Sequence, residues 1–417
     1  MSPATRLGAP VYPTRVLEIV GNAIVGGTER HVEGLVRFLP RDRFEVTCVA
    51  PFESPFTAAL RDLGCTVFVV PMGTPMGADP PWSAIPLVVN LLREHHVDVV
   101  HAHLISAHLV GGLAGHLTGT PVLTTVHEQQ ITDTLLTSAR LIGSHLLAVC
   151  RTTYLQGLAL GIPTDQISLI PNGVDTETFL PGAGGAAFRA HLGVPREAPL
   201  VGFVARLSPE KGPDQFLRVA QQVRRRRPDV HFALVGEGPE EPSLRQAVRA
   251  MGLVDRVHFA GVVMDMSTVY AAFDVVAQTS HTEGMPLVLL EAMACARPVV
   301  AMGVGGVDEV VQSGATGILV RAADCPAAAA AILGLLARPE QMRRMGQAGR
   351  ARAQEHFPLH HAVPRIGELL RGLAARSVPS PSPLPVLRRT VPAPGPPNGA
   401  GDTGRHGPRR RDSGTVP

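Results

Sequence analysis

Of the 38 lysine and arginine residues in this 417-residue chain, one is a lysine. It stands in Ala205-Arg206-Leu207-Ser208-Pro209-Glu210-Lys211-Gly212. Arginine presents a planar fork of five donors, whereas lysine is a compact ammonium on a thin stem that can enter a narrow slot. Retention of Lys211 close to Arg206, at the exit of an apolar run, points to an anion site that takes no substitute. Two cations spaced this way on a strand-to-loop exit can neutralise a diphosphate.

A second group is Glu283-Gly284-Met285-Pro286-Leu287-Val288-Leu289-Leu290-Glu291. Two carboxylates bracket an apolar run, and Gly284–Pro286 supplies a turn whose free N–H groups open a helix. Eight residues of helix rise about 12 Å, more than the roughly 5 to 9.5 Å that separates the carboxylates of glycoside hydrolases. The pair suits gripping a long ligand at two points, since a carboxylate accepts paired hydroxyls well. Gly26-Gly27-Thr28-Glu29 follows another apolar run and opens a helix, where bare N–H groups and the helix dipole favour an anion. It is not GxGxxG, and no acidic residue follows a second strand as a dinucleotide fold requires. Nicotinamide and flavin cofactors are therefore disfavoured. His101-Ala102-His103 has the spacing of a metal pair but shows no third ligand, so it reads as structural and no metal site is expected. Trp82, the one tryptophan, reads as packing.

The elements that must position these groups are short β-branched apolar runs alternating with helix-length amphipathic segments. Seven runs, from Arg15–Val20 through Val97–His101 to Ser168–Ile170, precede a stretch rich in proline and glycine. Six more, from Leu200–Ala205 to Gly317–Val320, follow it. Helical patterns such as Glu29–Phe38, Pro213–Arg226 and Leu287–Ala294 lie between them. Near-continuous apolar strands joined by helices predict parallel sheets covered on both faces. The fold class is thus α/β, with two doubly wound domains whose strand C-termini face one cleft. The boundaries read as a disordered lead at 1–13, a first domain at 14–180, a linker at 181–199 and a second domain at 200–355. A segment at 356–375 is able to return to the first domain, and 376–417 reads as a disordered tail rich in proline, glycine and arginine.

The formal charge of +3 resides in that tail, where seven arginines face two aspartates. The folded body is close to neutral, so no nucleic-acid partner is expected, and the tail allows only weak peripheral contact with an anionic membrane. Five cysteines form no CxxC pair and leave one unpaired, which points to a reducing compartment. With no signal-peptide pattern and no apolar run of about 18 residues, the expected location is the cytoplasm, including the inner face of the membrane.

Gly26-Gly27-Thr28-Glu29-Arg30, the Arg206–Lys211 segment, Val235-Gly236-Glu237-Gly238-Pro239 and the Glu283 to Glu291 segment occur in the order seen in glycosyltransferase family 4. Pro171-Asn172-Gly173-Val174-Asp175 sits where that family usually has the same string. The chain resembles this family over about residues 15–370. The resemblance implies the GT-B fold, two Rossmann-like doubly wound parallel-sheet domains facing a central cleft. It implies transfer of a sugar from a nucleotide-diphosphate sugar, with retention of anomeric configuration and no metal in the chemistry; the donor is a substrate, and no cofactor is expected.

Position by position, the resemblance implies that Arg206 and Lys211 hold the diphosphate and that Glu283 contacts donor sugar hydroxyls, helped by the backbone of Gly284, Met285, Pro286 and Leu287. Glu291 would bind the ribose, Gly26 and Gly27 would approach the diphosphate or sugar from the other domain, and Gly236 would lie near the base. His127, in Thr124-Thr125-Val126-His127-Glu128, matches a histidine near the transferring sugar. The chain departs from the family where Ala205 and Ala296 replace glycines, Cys150 a serine and Asp308 a proline. The acceptor, a glycan, lipid-linked or small molecule, would be read by loops around Pro71–Pro86 and His101–His108. Two other functions fit the same cleft, a nucleotide-sugar 2-epimerase and a non-catalytic sugar-nucleotide-binding protein.

Overall fold

The computed structural model describes residues 12–73, 81–182 and 184–376. The expectations for most of the lead, for the tail beyond Arg376 and for residues 74–80 lie outside the described residues. Two parallel sheets are present. The first holds β1 (Thr14–Val20), β2 (Phe44–Ala50), β3 (Thr66–Val69), β4 (Val99–His103), β5 (Val122–Val126), β6 (His145–Ala148) and β7 (Ile167–Leu169), in the order β3-β2-β1-β4-β5-β6-β7. The second holds β8 (Leu200–Val204), β9 (His231–Val235), β10 (Val257–Gly261), β11 (Val275–Gln278), β12 (Val299–Met302) and β13 (Gly317–Val320), in the order β10-β9-β8-β11-β12-β13.

The central strands are apolar along their length because helices cover both faces: every residue of β4, β5 and β9 is buried. Each sheet runs outward from its first strand in one direction and then reverses, so the first lobe has its switch point between β1 and β4 and the second between β8 and β11. Loops diverge at such a point and leave a crevice at the strand C-termini. β4 runs two residues later than the apolar pattern suggests, which brings His103 into the strand.

The two connections between lobes are tied to one another. Val174 N–H donates to Phe357 O at 2.8 Å, and Leu359 N–H donates back to Val174 O at 3.0 Å. Beyond this crossing, the helix Leu359–Ala374 lies on the first sheet and buries Val363, Ile366 and Leu370 with Val16, Leu35 and Val99. The 181–199 stretch, read as linker chemistry, carries the short helix Gly185–His191. Phe188 from it is buried in the second lobe's core, and Arg189 pairs with Asp274 at 2.7 Å. Trp82 is 54% exposed, so the packing role expected for it is corrected.

One departure from the family pattern is visible as backbone strain. Ala296 adopts φ 54° just after the helix Leu287–Ala294, a left-handed conformation that crowds a Cβ and that glycine enters freely. Ala296→Gly should therefore raise the unfolding free energy by about 1 kcal/mol, read as a higher urea midpoint. An unchanged or lower midpoint would show that no strain is released.

Candidate active site

The second lobe's switch point supplies most of the charge. The chain leaves β8 through Ala205 and Arg206 into a 3-10 turn, Pro209–Lys211, and leaves β11 through Thr279–Glu283. Hydrogen bonds lock these exits together, from Thr279 Oγ1 to Gly212 O at 2.8 Å and from His281 N to Glu210 O at 2.9 Å. The result is a bidentate ion pair: Lys211 Nζ lies 2.9 Å from both Glu283 Oε1 and Oε2. Ser280 Oγ donates to Glu283 Oε1 at 2.7 Å. Arg206 is exposed, and its side chain makes no hydrogen bond or ion pair among the described residues. Gly236, at φ 124°, lets the turn after β9 press on this loop; a Cβ there would lie 2.1 Å from Ala205 O.

Glu283 precedes the helix Leu287–Ala294 rather than standing on it, so helical rise does not set its distance from Glu291. That correction leaves the two acids in different surroundings. Glu291 is buried and accepts a hydrogen bond from Tyr270 Oη at 2.6 Å, and burial pushes its carboxyl up to about 7. Glu291 and Leu287, with Arg30, His31, Met264 and Asp265, help line a cleft cavity of about 320 Å³.

The loop before this helix meets the first lobe directly. A Cβ on Gly284 would lie 2.1 Å from His127 O, a gap only glycine tolerates. Asn172 Nδ2 donates to Met285 O at 3.0 Å, and Thr282 Oγ1 to Gln129 Oε1 at 3.0 Å. The helix Gly27–Phe38 begins two residues earlier than its polar pattern suggests, with Gly26 as a bare cap. A Cβ on Gly27 would lie 4.0 Å from Leu287 Cδ1, so the first residues of two helices come close to one another across the cleft. Their free N–H groups and dipoles favour a negative group between them.

Sequence patterns gave no role in the site to several polar residues here. Glu29, one turn into the Gly27 helix, is buried with no hydrogen-bond partner on Oε1. Burial drives its carboxyl up to about 8, against the opposing pull of backbone N–H groups and Arg206. Glu18, an acid within the apolar run of β1, stands between His101 and His103 and is the third group that the spacing of those histidines did not show. Ligand atoms of Glu18, His101 and His103 lie within 4.8 Å of one another, close enough to hold a metal ion, although each carboxylate oxygen is already within hydrogen-bond distance of a ring nitrogen. His31 packs edge-on against His103 and His127. The one local signal was a charged residue alternating into a buried strand.

Cys150 caps the helix Arg151–Ala159 but makes no side-chain cap bond; its Sγ turns to Thr153 Oγ1 at 3.1 Å. Glu309 of the second lobe takes the place of that cap, accepting from Arg151 N at 2.7 Å and Thr152 N at 3.4 Å. Arg206, Lys211, Glu283, Gly284, Leu287, Gly27 and His127, all singled out in the sequence, thus gather where the two switch points meet. Glu291 lies midway along its helix, and Gly236 packs against Ala205.

Residues 25–178 match the family model for glycosyltransferase family 4, and residues 186–352 that for glycosyl transferases group 1. A GDP-mannose-dependent alpha-(1-6)-phosphatidylinositol monomannoside mannosyltransferase of Mycolicibacterium smegmatis is 31% identical over 301 residues, covering 68% of this chain and 78% of that one. A D-inositol 3-phosphate glycosyltransferase of Segniliparus rotundus is 39% identical over 194 residues, but the match spans only 45% of this chain and 43% of that relative. The crystal structure of Anabaena HepE with UDP-glucose superimposes with a TM-score of 0.76 at 25% identity, over 86% of this chain and 99% of that one. Among the described residues no helix is long and apolar enough to cross a membrane, and all five cysteines are free and buried. With its two parallel-sheet lobes in the GT-B arrangement, the chain belongs to the family 4 glycosyltransferases.

Proposed function

We propose that the protein moves a sugar from a nucleoside-diphosphate sugar to an acceptor hydroxyl on a glycan, a lipid-linked molecule or a small metabolite, with retention of configuration and without a metal ion in the chemistry. The observation that carries this reading is the Lys211–Glu283 pair at the second switch point, opposite the Gly27 helix. One ammonium is held by an acid, a second cation, Arg206, is free beside it, and two helix N-termini converge on the same space. Such preorganised positive groups stabilise a departing diphosphate without moving during the reaction. A GDP-mannose-dependent relative and a UDP-glucose-bound neighbour support a nucleoside-diphosphate donor.

In this reading Arg206 and Lys211 take the diphosphate, with Gly26 and Gly27 approaching from the first lobe. Glu283 keeps its hold on Lys211 and offers its remaining lone pairs to sugar hydroxyls, beside the N–H groups of the Gly284–Leu287 loop. His127 faces the sugar, Glu291 the ribose, and Gly236 lies toward the base. The acceptor hydroxyl attacks on the face the diphosphate leaves, and a phosphate oxygen takes its proton. Bond formation and departure on one face retain configuration.

Lys211→Ala and Glu283→Ala should each lower transfer at least 100-fold, the scale of losing one preorganised electrostatic contact, with circular dichroism unchanged. Near-normal turnover in both would remove the reading. An α-linked donor should give an α-linked product by NMR, undiminished by EDTA. Inversion, or a chelator-dependent rate, would refute retention or metal independence respectively. Turnover of the donor with no acceptor present would point to an epimerase instead.

Glu29 predicts a pH response. With its carboxyl held near 8 by burial, it is uncharged at neutral pH. As pH rises through that value it ionises beside Arg206 and opposes the diphosphate. The Kd for UDP or GDP should therefore rise several-fold between about pH 7 and 9 in the native protein and stay flatter in Glu29→Gln. Parallel curves for the two proteins would place the effect elsewhere.

A further inference from the structure

Behind His127 runs a line of buried hydrogen bonds that the proposed chemistry does not use. Strand pairing sets Glu18 of β1 level with His101 of β4, and Val20 level with His103. Glu18, His101 and His103 are fully buried. Glu18 Oε1 is 3.1 Å from His101 Nδ1, and Oε2 is 2.7 Å from His103 Nε2. His103 Nδ1 lies 3.0 Å from His127 Nε2, and His101 Nε2 lies 2.7 Å from Thr125 Oγ1.

The protons along this line can be counted. With Glu18 as a carboxylate, which only accepts, His101 Nδ1–H and His103 Nε2–H both donate to it. Burial, reinforced by neighbouring imidazoles, holds His103 and His127 well below the usual histidine value, so each of these rings carries a single proton. His103, having turned its proton toward Glu18, offers a bare Nδ1. His127 must then donate from Nε2–H, which leaves its own Nδ1 bare. No group among the described residues bonds that nitrogen, and of the clustered rings of His31, His101, His103 and His127, that of His127 alone keeps partial exposure.

We propose that Glu18 and His103 are positioning residues that lock His127 in the tautomer presenting Nδ1 as a hydrogen-bond acceptor, so that this point of the cleft selects a sugar hydroxyl over a phosphate oxygen or a carbonyl. A carboxylate two rings away thereby sets the polarity of the contact, because which ring nitrogen carries the proton is decided by what the other nitrogen meets. The selection of a sugar hydroxyl rests on the reading of His127 as facing the transferred sugar; the tautomer lock does not.

The test is a two-bond ¹H–¹⁵N correlation spectrum of the full chain labelled at histidine nitrogens, at about pH 7, with single histidine variants for assignment. The expected result is His103 and His127 as pure Nε2–H forms and His101 as Nδ1–H. His127 found as Nδ1–H, or as imidazolium, overturns the proposal whether or not the protein transfers sugar. In His103→Phe the partner nitrogen is gone, so His127 should become a mixture of tautomers and transfer should fall about tenfold, the worth of one hydrogen bond. A pure Nε2–H form at His127 in that variant would overturn the role of His103; if the variant does not fold, the native spectrum decides. A stoichiometric metal ion in the purified chain that is lost in Glu18→Gln would also overturn it, since the three groups would then be ligands. The expected tautomers in a chain that transfers no sugar would uphold the lock and overturn its role in transfer, so the two failures are distinguishable.

Discussion

The backbone of Gly284 approaches the carbonyl of His127 so closely that a single methyl group would not fit between them. Much of the site depends on that contact. Each sheet can deliver loops to its own switch point, and here main chain from one lobe reaches main chain of the other. Gly284 allows it, and Asn172 fastens it by holding the next carbonyl, Met285 O. Asn172 itself belongs to one of the two segments that join the lobes, next to Val174 and its bonds with Phe357 and Leu359. The residue that fastens the contact between the lobes thus stands two positions from the residue at which their two connections cross.

Around this contact, charge is distributed unevenly. Lys211 is matched by Glu283 and Arg206 is not, so the site keeps one cation in reserve on the ligand side. The acids deeper in the cleft do not offset it at neutral pH to the extent that a count of carboxylates suggests, because burial pushes Glu29 up to about 8 and Glu291 to about 7. The N-termini of the Gly27 and Leu287 helices, close to one another across the cleft, add partial positive charge without a side chain. An anion entering between the lobes meets fixed dipoles and a free guanidinium, an arrangement suited to a group whose charge increases as a bond breaks.

Much of this was legible in the residues. The strand runs emerge in the same order and number, thirteen among the described residues, because buried parallel strands must be apolar on both faces and so announce themselves without alternation. Helices Pro213–Arg226 and Leu287–Ala294 match their patterns from end to end. Lys211 was conspicuous because nothing else in the chain is lysine. What escaped was set by register across the sheet rather than by spacing along the chain. Glu18 meets His101 from 83 residues away, and Glu309 meets Arg151 from 158 residues away. No window on the sequence contains both members of either pair. The Glu283–Glu291 spacing misled for a related reason: a helical ruler was laid over residues of which the first lies outside the helix.

The Cys150 position shows how such long-range pairs alter the mechanics. A serine there could cap its own helix from within the first lobe, leaving that cap indifferent to the second lobe. Cysteine is a weak acceptor, and its sulfur is turned to Thr153, so the first N–H groups of the Arg151 helix depend on the Glu309 carboxylate from across the cleft. An N-terminal cap contributes roughly 0.5–2 kcal/mol. That sum is now shared between helix and interface, since separating the lobes strips the cap and leaves a partly desolvated carboxylate without its partners. Burial already raises the Glu309 carboxyl, opposed by those same N–H groups, so loss of the contact favours neither side of the gap. With cysteine at this position, the cap on the Arg151 helix is at the same time a bond between the two lobes.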